Sequence, residues 1–482
     1  MLICNQLNRS NIGYAQVHLE ADVGIGAAAY GLGAGLFFIA YALFELPSNM
    51  LMERYGPKVW LTRIMVSWGL VSAAMALVTN ETTFYILRFL LGAAEAGFFP
   101  AIIYFFSRWL PESHRGRATA LFVAGSSIAA AISGPLSGPL LSMHGIAGVA
   151  GWQWLFALEG ALSVVVGLIA YRMLDSSVSD ARWLGPEEKA ALLGEIERED
   201  AAKRAGAGTA KVSRLRLLLN RQMLIFCSIY FAIQLSIYAN TFWLPTIVRR
   251  IEGTGDITVG LLSSLPWICA VAAMYAAGRA SDRLGRSKPL LVAALLVAAV
   301  GTFLAAELSP AWALVMLCVA AMGFKSASPL FWTIPQGSVH PMAVAAAIAV
   351  INSLGNLGGF VAPYGFGLIK EATGEVTHGL YALAAMCLLA VVLTLLIRGD
   401  RTVGADAVDA PEGRPPPGAD RAGAAPAGGP ARPLFRCRSS IVPSINNVGR
   451  AWVRPPTVGP VPPAALPPRP AAVREPQRGD PT

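Results

Sequence analysis

Charged residues are scarce in this sequence. Only 14% of its 482 residues are Asp, Glu, Lys or Arg, whereas a soluble domain carries roughly 25%. Hydrophobic residues make up 55%, and the mean hydropathy is +0.53. This balance excludes a soluble protein with a large core and favours an all-α membrane protein.

Cysteine and histidine are also few. The six cysteines and five histidines are dispersed, and no CxxC or Cys/His spacing occurs. The pattern therefore supports neither a disulfide framework nor a zinc site. No nucleophile–base pair is visible, so we expect no catalytic residues, no metal and no cofactor, and a protein that is not an enzyme.

Long apolar segments dominate the first 400 residues. Eleven of them have about 20 or more mostly apolar residues, enough to cross ~30 Å of hydrocarbon. A short apolar piece at the start adds a twelfth candidate. The eleven spans are 28–52, 59–79, 84–107, 117–142, 153–174, 222–248, 258–279, 289–307, 311–335, 343–369 and 376–397.

The net charge of +9 is distributed unevenly along the chain. When the opening piece is counted as the first span and 28–52 as the second, nineteen cations lie in the connections that follow even-numbered spans, and three lie in the others. Cytoplasmic loops carry such an excess. The charge therefore predicts a multi-pass inner (plasma) membrane protein with a cytoplasmic central loop and tail. It gives no reason to expect nucleic acid as a partner, and we expect a monomer in the lipid bilayer.

Two of these cationic loops repeat one motif. The sequence Glu53-Arg54-Tyr55-Gly56-Pro57-Lys58 has a counterpart in the segment 278–288, where Asp282 lies 229 residues after Glu53. A duplicated six-helix half explains the pair, with bundles at 1–174 and 222–398. An acid beside cations in a tight turn can bridge helix ends and release them when the halves move. The predicted gating residues are Glu53, Arg54, Gly56, Gly278, Asp282, Arg283, Gly285 and Arg286.

The connecting segment and the tail are hydrophilic. Within 175–221, Pro186 followed by two acids predicts the start of a short surface helix. Residues 399–482 hold more than half of the 33 prolines, many arginines and no lysine, which predicts disorder. We hypothesise that this tail arises from a frameshift or a fusion.

The opening stretch is short for a membrane helix. From Met1 to about residue 17 the chain is too polar to span ~30 Å by itself. We therefore expect an N-terminally truncated first helix, with the missing turns encoded upstream.

The fourth span contains two ionisable residues. Arg88 and Glu95 are seven residues apart, which places them on nearly one helix face, ~10 Å apart. Ionisable residues at membrane depth face a cavity by default. Arg88 could bind a carboxylate bidentately, and Glu95 could take up and release a proton. The alternative is a structural Arg–Glu contact between helices.

Several other intramembrane residues are weaker candidates for a substrate site. Asn352 and Asn356 lie at i and i+4 on a Gly-rich helix, where they could bind a polar substrate or link helices. Tyr41, Tyr238 and Trp332 could line a cavity, although aromatic residues in a bundle more often pack. Glu45 and Glu159 are further ionisable positions that could equally serve helix packing or an interface. Lys325 is an intramembrane cation that could pair with an anion or snorkel.

These stretches resemble the major facilitator superfamily. The duplicated loop resembles its signature, and finer stretches resemble its anion:cation symporter branch, especially bacterial tartrate- and phthalate-type permeases. These stretches cover residues 8–15, 44–49, 87–100, 151–156, 242–245 and 351–359.

The resemblance implies twelve helices in two six-helix bundles and import of an organic anion with protons by alternating access. It implies that Arg9 and Arg88 contact the substrate or couple its binding to protonation, and that Glu95 carries the proton. Asn8 stands where the branch usually has an acid, so proton stoichiometry could differ. The expected substrate is a small carboxylate such as a sugar acid, dicarboxylate or aromatic acid. The alternatives are an uncoupled facilitator or exporter of the same fold, or a non-transporting anion sensor.

Overall fold

The computed structural model describes residues 1–181, 183–206, 220–339 and 343–397, and these residues are nearly all helical. The expected tail and part of the central connection lie outside the described residues. In the described part we number fifteen α-helices: α1 (Leu2–Val23), α2 (Ala27–Tyr55), α3 (Pro57–Ala74), α4 (Glu81–Glu95), α5 (Phe98–Trp109), α6 (Glu112–Leu141), α7 (Gly151–Met173), α8 (Pro186–Gly206), α9 (Arg221–Val248), α10 (Asp256–Leu284), α11 (Ser287–Glu307), α12 (Pro310–Ser338), α13 (Val344–Asn356), α14 (Gly358–Thr373) and α15 (Thr377–Leu395).

The helices form two sets of six, α1–α7 and α9–α15, when α4/α5 and α13/α14 are each counted as one long segment. Ten spans of the described chain are long and apolar enough to cross a membrane by length and composition. Helices α1 and α6 are not among the ten, although we predicted a full span at 117–142. Helix α6 is rich in Gly and Ser and contains Pro135 and Pro139, which lower its hydropathy. It packs against α1 and α10. The predicted all-α membrane fold is confirmed.

Helix α1 continues to Val23, beyond the limit that its polarity suggested. Its polar C-terminal residues have partners on other helices: Thr246 Oγ1 donates to Gln16 Oε1 at 2.9 Å, and Trp152 Nε1 donates to Asp22 Oδ2 at 2.9 Å. Gly24 then ends the helix with φ +77°, a left-handed cap that glycine adopts without strain. Tertiary hydrogen bonds thus support the polar C-terminal part of this helix.

The fourth span is broken, whereas the sequence predicted one helix over 84–107. Helix α4 ends at Glu95, and Gly97 has φ +85° before α5 begins. Ser48 Oγ of α2 donates to the Ala96 carbonyl at 2.6 Å and stabilises the break. A side chain on Gly97 would collide with Ser48. The break places Glu95 at a helix end beside α1.

The two halves contact each other on the side away from the cationic loops. Helices α6 and α10 cross at Gly134 and Gly260, where a Cβ on either would strike the backbone of the other. Helices α2 and α14 cross at Gly31 and Pro363 in the same way. Small residues permit this close approach.

Polar contacts reinforce that closed side. Asp256 accepts from His18 Nε2 at 3.0 Å and forms an ion pair with Arg249. Lys370 Nζ lies 3.5 Å from Glu20 Oε2. We call these five residues the opposite-side seal. The seal joins α1 of the first half to α10 and α14 of the second.

In each repeated loop a glycine with a positive φ ends the helix, although ψ differs, at 155° for Gly56 and 16° for Gly285. Gly56 ends α2 with φ +81°, and Gly285 ends α10 with φ +60°. In this conformation, neither Glu53 nor Asp282 forms an ion pair with another described residue. The bridging role expected of these acids stays a prediction.

The central connection contains α8, which begins at Pro186, where the sequence indicated a helix start. Ile196 of α8 packs with Trp109 and Val178 in a small apolar cluster. Arg115 of α6 also pairs with Glu199 of α8 at 3.1 Å. The connection is thereby anchored to the end of α5 and the start of α6.

Candidate functional site

A cavity of about 600 Å³ lies between the two halves. Its walls come from α1, α2, α4, α5 and α6 on one side and from α9, α10, α12 and α13 on the other. All seven residues predicted to bind substrate line it: Arg9, Tyr41, Arg88, Tyr238, Trp332, Asn352 and Asn356. The fold thus brings together positions that lie up to 347 residues apart, between Arg9 and Asn356.

Arg9 forms an ion pair with Glu95 at the cavity wall. Arg9 Nε donates to Glu95 Oε1 at 2.5 Å, and a terminal nitrogen of the same guanidinium contacts the same oxygen. The Glu95 side chain is 1% exposed, and that of Arg9 is 23% exposed. The guanidinium also lies over the rings of Tyr41 and Phe37, at 5.1 and 5.4 Å. Glu95 is therefore shielded behind a cation that faces the cavity.

Arg88 is a buried cation of a different kind. It is 1% exposed, its Nε donates to the Gly33 carbonyl at 3.3 Å, and its guanidinium lies 5.1 Å from the centre of the Phe37 ring. No described carboxylate lies within ion-pair distance of it. Phe37 thus contacts two arginines, of which Arg9 pairs with a carboxylate and Arg88 has no described carboxylate partner.

Asn8 faces away from the cavity. Its Nδ2 donates to Ser163 Oγ and to the Cys4 carbonyl, both at 2.8 Å, and its Oδ1 accepts from Ser72. These contacts connect α1 to α3 and α7. The amide therefore joins helices, and it cannot exchange a proton with the substrate site.

The other half contributes mostly neutral groups. Tyr238 packs edge-on against Phe38, with ring centres 4.6 Å apart, and so meets the first half at the cavity. Gln234 Nε2 donates to Asn356 Oδ1 at 3.4 Å. These amides offer both donors and acceptors to a polar ligand.

Phe37 and Gln234 also line the cavity but were not singled out from the sequence, and Lys325 was named only as an ionisable position. Phe37 carries no distinguishing signal, because an aromatic residue in an apolar helix usually packs. Gln234 and Lys325 carried a usable signal, since each is a strongly polar side chain inside an apolar helix. Lys325 Nζ lies 5.2 Å from the centre of the Trp267 ring.

The two other acids named from the sequence, Glu45 and Glu159, lie in different parts of the first half. Glu45 lines the cavity, whereas Glu159 does not. Glu159 is 2% exposed and accepts from Asn11 Nδ2 at 2.9 Å and from Ser137 Oγ at 3.4 Å. Glu159 therefore joins α1, α6 and α7 inside the first half.

Comparison with known families identifies this architecture. The profile of the Major Facilitator Superfamily matches residues 1–363. The chain belongs to the major facilitator superfamily. As in that superfamily generally, the protein is a membrane transporter of small molecules and not an enzyme.

Curated relatives of this facilitator cover most of its length. It is 42% identical to a protein of Acinetobacter baumannii named quinolone resistance transporter, over 81% of this chain and 90% of the relative. It is 40% identical to a protein of Agrobacterium vitis whose name proposes tartrate transport, over 81% and 86%. It is 38% identical to the inner membrane transport protein RhmT of Escherichia coli, over 82% and 91%.

Solved structures agree on the fold. A bacterial homologue of the human lysosomal transporter Spinster, in an inward-facing and occupied conformation, superposes with a TM-score of 0.67 at 15% identity. That match covers 82% of this facilitator and 94% of the other chain. A D-xylose–proton symporter gives 0.63 at 13% identity, over 83% and 96%. These distant likenesses show the shared two-bundle architecture.

Proposed function

We propose that this transporter imports a small organic anion, a carboxylate, together with protons by alternating access. The observation that carries the proposal is the Arg9–Glu95 ion pair beside Arg88, which has no described carboxylate partner. A buried guanidinium without a counterion is costly, and a bound carboxylate would neutralise it with paired hydrogen bonds. The cavity therefore suits an anion better than a neutral sugar.

Proton coupling follows from the ion pair. While Glu95 is ionised, it holds Arg9 and competes with the substrate for that guanidinium. A proton on Glu95 removes the competing charge and frees Arg9 to bind the substrate carboxylate. Proton and anion binding would thus favour each other, which is the thermodynamic requirement for symport.

The distribution of Lys and Arg among the loops indicates which side of the protein faces the cytoplasm. The cationic loops should face the cytoplasm of the inner membrane, with the central connection and the tail on the same side. The cavity then faces the cytoplasm in this conformation, and the opposite-side seal closes it from outside. Import requires the seal to open and the repeated loops at Glu53 and Asp282 to close, and we assign those loops the gating role. Each monomer contains one complete cavity.

Export is the second candidate. The relative named quinolone resistance transporter is 42% identical, and a resistance name favours transport out of the cell. The same cavity and the same ion pair would serve an exporter with the proton moving inward. If Glu95 does not gain and lose a proton during the cycle, transport is uncoupled and the substrate moves only down its own gradient.

Uptake by proteoliposomes distinguishes these modes. Radiolabelled organic acids, including tartrate and a set of sugar acids and aromatic acids, are offered with and without an inwardly directed acid gradient. Symport predicts accumulation above equilibrium only with the gradient, whereas a facilitator equilibrates in both conditions. Uptake absent under all gradients would favour the sensor alternative.

A substitution at Arg88 tests the proposed anion site. Arg88→Gln should lower uptake at least about tenfold, because a hydrogen bond to a charged group is worth about 1.5–3 kcal/mol. Arg63→Gln is the matched control, since Arg63 is exposed and lies over Trp60 outside the cavity. Equal uptake by Arg88→Gln and Arg63→Gln would show that the proposed anion site is wrong.

A further inference from the structure

Lys325 supplies a second positive pole to the cavity. It lies on α12, in the half of the molecule that does not contain Arg9 and Arg88, and it lines the same cavity. No described carboxylate lies within ion-pair distance of its ammonium. The cavity therefore has cations on both of its walls.

Its surroundings hold the ammonium in place without neutralising it. The Nζ atom lies 5.2 Å from the centre of the Trp267 ring, in the range of a cation–π contact. Trp267 is 6% exposed and packs edge-on against Phe324, so its ring is a fixed support. An unpaired ammonium in a cavity at membrane depth marks a position for an anion.

The charged groups that line the cavity indicate the net charge of the ligand that would neutralise them. Its charged lining residues are Arg9, Arg88, Lys325 and the acid Glu45, and Glu95 contacts Arg9 from behind the wall. When Glu95 is protonated, three cations face one carboxylate, which leaves a surplus of two positive charges. A dianion would neutralise that surplus, whereas a monocarboxylate would leave one cation unpaired.

We propose that the substrate is a dianion with two carboxylates, one bound by the arginines of α1 and α4 and the other by Lys325 of α12. This inference rests on the proposed function and specifies its substrate class. Lys325 then selects dicarboxylates over monocarboxylates. Because the two carboxylates contact different halves, the substrate would also draw the halves together when the transporter closes around it.

Binding of matched ligand pairs tests the proposal. Affinities of the purified full-length protein are measured by calorimetry at pH 7 for tartrate and threonate, succinate and butyrate, and phthalate and benzoate. In each pair one carboxylate is replaced by a neutral group on a similar skeleton. We expect at least one dicarboxylate to bind roughly 10- to 100-fold more tightly than its partner, the range for a hydrogen bond to a charged group.

The variants locate that preference. Lys325→Met should reduce the preference to less than about threefold, mainly by weakening the dicarboxylate, and Lys325→Arg should retain it. Arg108→Met is the control, because Arg108 also lies over an aromatic ring, that of Tyr104 at 5.4 Å, but outside the cavity and outside the repeated loops. A thermal unfolding midpoint for each variant shows that it is folded.

The outcomes separate the two proposals. If monocarboxylates bind as tightly as their dicarboxylate partners, or if Lys325→Met weakens both members of a pair equally, the dianion inference is wrong while the anion transporter stands. If no carboxylate binds in a way that Arg88→Gln abolishes, the proposed function itself fails and the dianion inference fails with it.

Discussion

Glu95 lies behind Arg9: the carboxylate is 1% exposed at the end of α4, and the guanidinium that covers it belongs to α1. The two residues are 86 positions apart, and the break at Gly97 places the acid where α1 passes. Any change in the charge of Glu95 is therefore felt first by Arg9, at the wall of the cavity.

Glu95→Gln should separate anion binding from proton coupling. The amide is neutral at every pH, so Arg9 stays free of a competing charge and anion binding at pH 7 should be at least as tight as in the wild type. Accumulation driven by an acid gradient should be lost, while exchange of labelled for unlabelled anion continues. Uptake and counterflow in proteoliposomes measure the two properties. Gradient-driven accumulation by Glu95→Gln would assign the proton to another group.

Asp256→Asn should loosen the opposite-side seal. The carboxylate accepts from His18 and pairs with Arg249, and the amide replaces the charged partner of both. We expect more labelling of a cysteine placed at Thr241, a cavity residue, by an impermeant maleimide applied from the Arg249 side. The assay uses protein whose native cysteines are replaced.

The control for the seal is Glu252→Gln in the same loop. Glu252 is exposed and forms no ion pair with a described residue, so its loss should leave labelling unchanged. Identical labelling in Asp256→Asn and Glu252→Gln would mean that the contact between His18 and Asp256 does not hold the halves together.

Gly134→Ala should impair transport without unfolding the protein. The added Cβ would meet the Gly260 backbone at the crossing of α6 and α10, so the halves could no longer close on that side. Gly116→Ala in the same helix is the control, because nothing lies within 4 Å of that position. Uptake rates, compared at equal amounts of folded protein, measure the effect. Equal rates for the two variants would show that the crossing tolerates separation.

Gly285→Ala should destabilise the protein by about 1 kcal/mol, because an L-residue in the left-handed region costs about that much. Gly278→Ala, seven residues earlier in the helical part of α10, should be neutral or stabilising, since alanine favours helix and the position is open. Thermal unfolding midpoints of the purified variants should therefore shift in opposite directions or differ clearly. A common shift would argue against a conformational requirement for glycine at the loop.

Much of the fold could be predicted from the sequence, because a membrane-spanning segment can be recognised from its local composition. Runs of apolar residues indicate spans, cations in alternate loops indicate sides, and the repeat of Glu53 at Asp282 indicates two halves. Breaks and ends were harder to predict. Gly97 interrupts a helix because Ser48 on another helix binds the freed carbonyl, and α1 persists to Val23 because Thr246 and Trp152 bind its polar residues.

For the candidate site as well, some features could be predicted from the sequence and others depended on the tertiary structure. The sequence by itself predicted that Arg88 and Glu95 lie at membrane depth, since charge in an apolar run is visible locally, whereas Arg9 was indicated by the family resemblance. Only the tertiary structure decided that Glu95 pairs with Arg9 and not with Arg88, and that Lys325 faces the same cavity without a described carboxylate partner. Pairing depends on which helices cross and at what depth, and helix crossing is set by contacts such as Gly134 on Gly260 between residues far apart in the chain.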